Sequence, residues 1–206
     1  MGGQGGEGQN MRSLIENILR ESMEVKRKLI EQSDLIERVA KEIVKRIKMG
    51  GKVILFGNGG SAADAQHIAC ELVGKFKYER TPYPAIALTT NTSTITAVSN
   101  DIGFDEIFTR QVEALVSDKD VVIGISTSGR SVNVIKGIEV ANKKGAFTVA
   151  LTGGDGGVLA KVADLAIVVP SENTPRIQEA HITIGHIICE LVEGMLIKAE
   201  NTEHHG

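Results

Sequence analysis

His67 and Glu71 stand four residues apart in the stretch 52–72, KVILFGNGGSAADAQHIACEL. On a helix that spacing puts an imidazole and a carboxylate on one face, about one turn from each other. Such a pair can exchange protons or hold a divalent cation, and taken alone it can equally be a solvated contact. What precedes the pair narrows the choice. Gly57-Asn58-Gly59-Gly60 interrupts an apolar run, and glycines there permit positive φ and close approach of a ligand to the backbone. Ser61 reads as the N-cap of the following helix, with Asp64 at its third position. The free N–H groups of a helix start favour an anion. A second polar turn, Ser126-Thr127-Ser128-Gly129-Arg130-Ser131, crowds four hydroxyls around one glycine. One hydroxyl would suffice as a cap. Four, with backbone amides, can surround phosphate oxygens without burying a cation.

These turns need a frame. Val53-Ile54-Leu55-Phe56 is short, apolar and rich in β-formers, as buried parallel strands are. Further strands are expected at 85–88, 121–125, 146–151 and 165–169. Helices are expected over 11–32, over 34–48 with Ser33 as N-cap, from Ser61 onward, over 104–116, over 132–144, briefly over 158–162, and from Pro175 to Ala199. Residues 89–100 are rich in Thr, Ser and Asn and read as caps and turns. The alternation predicts an α/β domain: a five-stranded parallel sheet with helices on both faces, flavodoxin-like, preceded by N-terminal helices. Ligands of such sheets bind at the carboxyl ends of the strands, near a topological switch point. Both polar turns fall at that edge. The segments divide into a disordered leader (1–10), N-terminal helices (11–50), the α/β domain (51–200) and a polar tail (201–206). The first helix has few partners within one small domain and is expected to pack partly against another subunit.

Composition excludes several classes. The chain has 206 residues, 42% hydrophobic, with a net charge of −3, which suits one α/β domain and gives nucleic acid no basic surface. No apolar run approaches the roughly 20 residues of a membrane span, and no secretory signal opens the chain. Aromatic residues are 3% and Trp is absent, which argues against a stacking platform. Cys70 and Cys189 each lie in an apolar helical context and read as buried thiols of a reducing, cytoplasmic compartment.

Together, G-N-G-G-S-A-A-D-A-Q-H-I-A-C-E-L, S-N-D-I-G-F, G-I-S-T-S-G-R-S-V-N-V-I-K and R-I-Q-E-A-H, with His186 downstream, resemble the sugar-isomerase (SIS) domain family. Within it they resemble the bacterial phosphoheptose isomerases, over residues 12–198. The resemblance implies conversion of sedoheptulose 7-phosphate to D-glycero-D-manno-heptose 7-phosphate, early in activated-heptose synthesis. It implies a homotetramer with active sites at subunit interfaces and one zinc per subunit, held by His67, Glu71, Gln178 and His186. It places the catalytic base at Glu71 and the acid at His186. Phosphate contacts fall on Ser126, Thr127, Ser128 and Ser131. Further substrate contacts fall on Asn58, Gly59, Gly60, Ser61, Glu71, Asn100, Asp101 and Gln178.

These types suit an aldose–ketose isomerisation, in which one group takes a carbon-bound proton and another protonates an oxygen. Two tensions accompany the assignment. Ligation lowers the basicity of Glu71. Gln178 and His186 are eight residues apart, about 12 Å along a helix axis. His181 and Glu190 are rival ligands, read here as packing and surface contacts. The chain also departs from the family pattern at Lys75, where relatives often carry Arg, and at Pro175, where some carry Asp. Arg130 in the hydroxyl turn either adds a cation beside the phosphate or faces solvent. Two alternatives stand beside the isomerase: a non-catalytic SIS-fold binding protein of the replication-initiator-associating type, and an enzyme for another phosphosugar such as a hexose phosphate.

Overall fold

A computed structural model describes residues 5–203 of the chain. Five parallel strands form one sheet: β1 (Val53–Gly57), β2 (Ala85–Ala87), β3 (Val121–Ile125), β4 (Phe147–Gly153) and β5 (Leu165–Val169). Their spatial order is β2-β1-β3-β4-β5, the flavodoxin-like order expected. Around them lie α1 (Gly5–Leu29), α2 (Ser33–Lys48), α3 (Gly60–Val73), α4 (Thr92–Asp101), α5 (Thr109–Leu115), α6 (Val132–Lys143), α7 (Leu159–Val162) and α8 (Thr174–Glu203).

The strands are apolar on both faces because both faces are covered. Val53, Leu55, Ile123, Leu151 and Ile167 pack with α2, α3 and α8 through Ile43, Ile68, Leu72, Ile184 and Val192. Ile54, Phe56, Val122 and Ala150 face the other way, toward Val112, Val134, Ile138 and Leu159. Successive side chains point to opposite faces, so each strand feeds both cores. Phe56 stacks on Phe108 at 4.8 Å between ring centroids, and Gly137 of α6 leaves room for that pair.

The order of growth reverses between β1 and β3, and there the two polar turns meet. Gly57 pairs with Ile125 in the β1–β3 register, so the turns that leave these strands start side by side. A Cβ on Gly57 would lie 2.7 Å from the Ile125 carbonyl oxygen and 2.7 Å from Ser61 Cβ. Glycine is therefore required there for close approach.

Several sequence expectations are corrected. Residues 89–100 contain helix α4 rather than caps and turns alone. Asn91 caps it by accepting a hydrogen bond from Thr94 N–H at 3.0 Å, and Thr96 Oγ1 donates back to Thr92 O. The hydroxyls are thus satisfied inside the helix instead of breaking it. The expected helix over 104–116 is a short 3-10 turn (Phe104–Glu106) followed by α5, because Thr109 Oγ1 bonds to Glu106 O at the junction. Ser61 does not cap α3: Gly59, at φ 56°, precedes the helix and Ser61 lies inside it, buried. Ser33 likewise lies within α2 and donates to Ile30 O. Cys70 is exposed, because it lies on the outward face of α3; Cys189 is buried. Helix α1 runs back to Gly5, into the segment read as a disordered leader, since extending a formed helix costs far less than nucleating one. Residues 1–4 of that leader and 204–206 of the tail lie outside the described residues. Within α8, Thr174–Ala199 is long and apolar enough to cross a membrane, contrary to expectation. Its residues Ile177, Ile184, Ile188 and Val192 are buried in the core of this domain instead.

A Cβ at position 137 would meet Phe56 Cζ at 2.8 Å and Phe108 Cβ at 3.2 Å, in a rigid aromatic stack. Overpacking of this kind costs about 1–3 kcal/mol, and alanine's better helix propensity returns up to about 1. Gly137→Ala is expected to lower unfolding stability by roughly 1–2 kcal/mol by urea titration; an unchanged or raised midpoint contradicts the packing described.

Candidate active site

Helices α3 and α8 follow parallel strands on the same face and run side by side in one direction. Their contact is close because Gly185 has no side chain: a Cβ there would lie 2.6 Å from Ile68 Cδ1. Cys189 Sγ reaches the Ile68 carbonyl oxygen lower down. This contact sets His67 of α3 beside His186 of α8, with Nε2 atoms 3.0 Å apart. His67 Nε2 also lies 3.2 Å from Glu71 Oε1. The donor atoms of His67, Glu71 and His186 all fall within 4.8 Å of one another. His67 is about half exposed and Glu71 and His186 are partly buried, so the group opens to solvent on one side. The ring of Phe76, from the segment after α3, packs tilted against His186 at 5.7 Å.

The two polar turns are tied together. Asn58 Nδ2 donates to Asn133 Oδ1 at 2.8 Å, and Asn133 Nδ2 returns a bond to Asn58 Oδ1 at 3.0 Å. In the second turn the Ser126 and Ser131 hydroxyls lie 2.9 Å apart, Gly129 takes φ 63° and Ser131 precedes α6. Thr127 is half-buried and Ser128 is exposed. A cavity of about 280 Å³ opens there, lined by Thr127, Ser128, Arg130, Gly154, Asp155 and Glu172 among others. Arg130 is drawn aside from the hydroxyls. It donates to the Ser128 carbonyl at 2.8 Å and pairs with Asp155 at 2.6 Å.

Other expected residues fall elsewhere. Gln178 is not gathered with His67, Glu71 and His186. Its amide rests against Gly60 at the start of α3, seven residues or about 10 Å of helix rise before His67. Eight residues of α8, about 12 Å of helix rise, separate Gln178 from His186. Asn100 and Asp101 are exposed at the end of α4, where Asn100 Nδ2 donates to Asp101 Oδ1 at 2.7 Å. Gly59 and Gly60 form the exposed entry to α3. Lys75 pairs with Glu79. Of the rival ligands, Glu190 pairs with Lys77 at 2.6 Å on the surface. His181 is buried against the Thr152 carbonyl at 3.1 Å. Both are the packing and surface contacts expected.

Asp64 was expected as a partner of the α3 cap. Instead its Oδ2 is buried without a hydrogen-bond partner. Burial raises its pKa to about 6 against the lowering pull of His67. Arg80 and Glu193 also escaped the sequence reading. They form a fully buried ion pair beneath the site, at 3.0 Å, and no local motif marks a contact between residues 113 apart.

Residues 19–153 match the SIS domain family. The chain is 58% identical over 183 residues to the phosphoheptose isomerase of Aquifex aeolicus, covering 88% of this chain and 96% of that one. It is 52% identical to that of Sulfurimonas denitrificans, covering 89% and 95%. The chain belongs to the phosphoheptose isomerase family. Solved structures of phosphoheptose isomerases from Francisella tularensis and Neisseria gonorrhoeae share its fold. The first aligns at TM-score 0.85 and 39% identity over 88% of this chain and 97% of that one. The second aligns at TM-score 0.81 and 38% identity over 91% and 98%. In this shared fold the hydroxyl turn follows β3, and His67, Glu71 and His186 meet where α3 packs on α8.

His181 supplies a pH signature. Burial lowers its pKa from 6.5 to about 4, despite the bond to the Thr152 carbonyl, which raises it. Above pH 6.5 the ring is neutral folded or unfolded. As pH falls below 6.5 the unfolded chain binds a proton that the folded chain refuses, so stability declines until the native ring titrates near 4. The cost across that window is about 3 kcal/mol at most. His181→Gln is expected to remove this share of the acid-side decline in urea midpoints. Identical pH slopes for the two proteins count against a neutral buried ring.

Proposed function

We infer that this chain interconverts sedoheptulose 7-phosphate and D-glycero-D-manno-heptose 7-phosphate, an aldose–ketose isomerisation early in activated-heptose synthesis. The observation that carries the reading is the convergence of His67, Glu71 and His186 in a chain so similar to curated phosphoheptose isomerases. A non-catalytic SIS-fold binding protein has no use for that group and is not favoured. Another phosphosugar is the outcome that a failed assay would favour.

Ser126, Thr127, Ser128 and Ser131, with the amides at the start of α6, hold the sugar phosphate. Asn58, Gly59, Gly60, Ser61, Asn100, Asp101 and Gln178 are assigned to the sugar hydroxyls, Asn100 and Asp101 by family resemblance alone. Glu71 takes a proton from C1 of the open-chain ketose while His186 gives one to the C2 oxygen, producing the 1,2-enediol. Return of the carbon-bound proton to C2 and of the O1 proton to His186 yields the aldose and restores both groups.

Two imidazole nitrogens and a carboxylate oxygen within 4.8 Å fit a borderline divalent ion, zinc foremost. His67, Glu71 and His186 would hold it. Gln178 joins as fourth ligand if its side chain turns along α8. Such an ion, when bound, supplies Lewis acidity to the sugar oxygens. A homotetramer is also proposed. Leu14, Ile15, Leu19 and Met23 form an exposed apolar stripe on α1, and contiguous exposed apolar surface supports a subunit contact. Two free thiols support a cytoplasmic setting.

The test is to incubate the purified protein with sedoheptulose 7-phosphate and follow the sugar by NMR, with chelator and with added zinc. Appearance of an aldoheptose 7-phosphate supports the reaction. No conversion by a folded protein in either condition overturns it. Glu71→Gln is expected to abolish turnover while leaving the fold intact; substantial residual activity removes Glu71 as base. Ser128→Ala is expected to weaken sugar-phosphate binding by about 1–3 kcal/mol, the cost of leaving a charged oxygen short of a donor. Equal affinity in titration calorimetry removes that serine from the phosphate site.

A further inference from the structure

Beneath the site lies a polar knot that the reaction itself does not use. The Arg80 and Glu193 side chains are 1% and 2% exposed. Glu193, on α8, accepts Arg80 Nε at 3.0 Å, Phe76 N–H at 3.1 Å and Lys77 N–H at 2.8 Å. Arg80 is bound at four of its five N–H donors. Its Nη1 donates to the carbonyls of Gly74 and Thr81, and its Nη2 to the carbonyl of Glu71 at 2.9 Å. The guanidinium also lies over the Tyr83 ring at 3.9 Å. One fork therefore grips the last turn of α3 at Glu71, closes the segment 74–83 and binds it to α8. That segment carries Phe76, whose ring packs on His186.

The geometry points to Arg80 and Glu193 as positioning residues that set Glu71 against His186 across the α3–α8 contact. This rests on the reading of Glu71 and His186 as the reacting pair. Glu71 and His186 come from different helices, and the small-residue contact at Gly185 lets those helices approach without fixing how far one slides along the other. The Arg80 guanidinium does fix it, because its planar donors meet four acceptors only in one arrangement. A merely stabilising pair would look different. A buried ion pair gives little net stability over apolar residues of similar size, and nothing in that role requires a bond to the carbonyl of the base itself.

Arg80→Lys keeps the charge beside Glu193 and loses the fork, so it separates the two roles. Binding of Co²⁺ to the metal-free protein, followed by its visible absorption, reports the His67, Glu71 and His186 arrangement without any sugar present. The expected result for Arg80→Lys is weaker Co²⁺ binding and lower kcat, each by about tenfold or more. KM should stay nearly constant, because the phosphate turn lies on other elements. Should Arg80→Lys fail to fold, Arg80→Met with Glu193→Met leaves no buried charge and carries the same readouts. A folded variant with Co²⁺ affinity and kcat within about twofold of the parent overturns the assignment, since losing such a support ordinarily costs 10–100-fold. If the parent lacks isomerase activity, the proposed reaction fails while the Co²⁺ titration still decides the positioning role.

Discussion

The approach of α3 to α8 is the constraint on which the rest of the site depends. Neither helix carries the whole cluster: His67 and Glu71 belong to one, His186 to the other. They meet because two parallel strands launch two helices in the same direction on the same face of the sheet. Gly185 then removes the side chain that would hold those helices apart. A four-residue spacing positions His67 and Glu71 relative to each other by local geometry alone. Positioning His186 relative to them needs a long-range contact, and the protein supplies it with packing above and a charge-assisted hydrogen-bond knot below.

That knot is expensive if judged as a stabilising device. Removing a guanidinium and a carboxylate from water costs several kcal/mol per ion, and only near-complete saturation offsets it. Burial raises the pKa of Glu193, but bonds from Lys77 N–H, Phe76 N–H and Arg80 outweigh it and hold the carboxyl below its ordinary value. The group is therefore an anion at neutral pH, and the pair stays charged. The exposed Arg130–Asp155 pair is of another kind. In water such pairs contribute little, so loss of the Asp155 contact would change stability little.

Much of the fold was legible because its signals are local. Five apolar runs with turn residues between them identify five parallel strands, and two glycine- or hydroxyl-rich turns at strand ends mark the working edge of the sheet. The failures have physical causes. Residues 92–101 looked unfit for a helix because Thr and Ser compete for backbone bonds, yet Asn91 caps the segment and Thr96 bonds within it. The serines at 33 and 61 occupied plausible cap positions, and backbone geometry set by their neighbours moved the caps upstream. His67 and Glu71 could be paired from spacing. His186 could be joined to them only through family resemblance, and Arg80 with Glu193 not at all, because nothing in the intervening hundred residues encodes that contact locally.

The site divides its work between two kinds of structure. The proposed phosphate grip is a turn between β3 and α6, with hydroxyls and amides together, cross-linked to the β1 turn by the reciprocal Asn58–Asn133 bonds. The proposed proton transfers fall to side chains borne by two helices, α3 and α8, which meet by packing and by the Arg80–Glu193 pair. A fixed grip on the non-reacting end of the sugar carries binding energy, while small displacements at the reacting end change the barrier. Such a division lets one turn serve many phosphosugars, because it reads only the phosphate. On the proposed reading, recognition of the reacting end rests instead with how α3 and α8 present the acid, the base and the metal donors. In this chain that presentation is governed from below, where Glu193 and Arg80 join the end of α3 to the flank of α8.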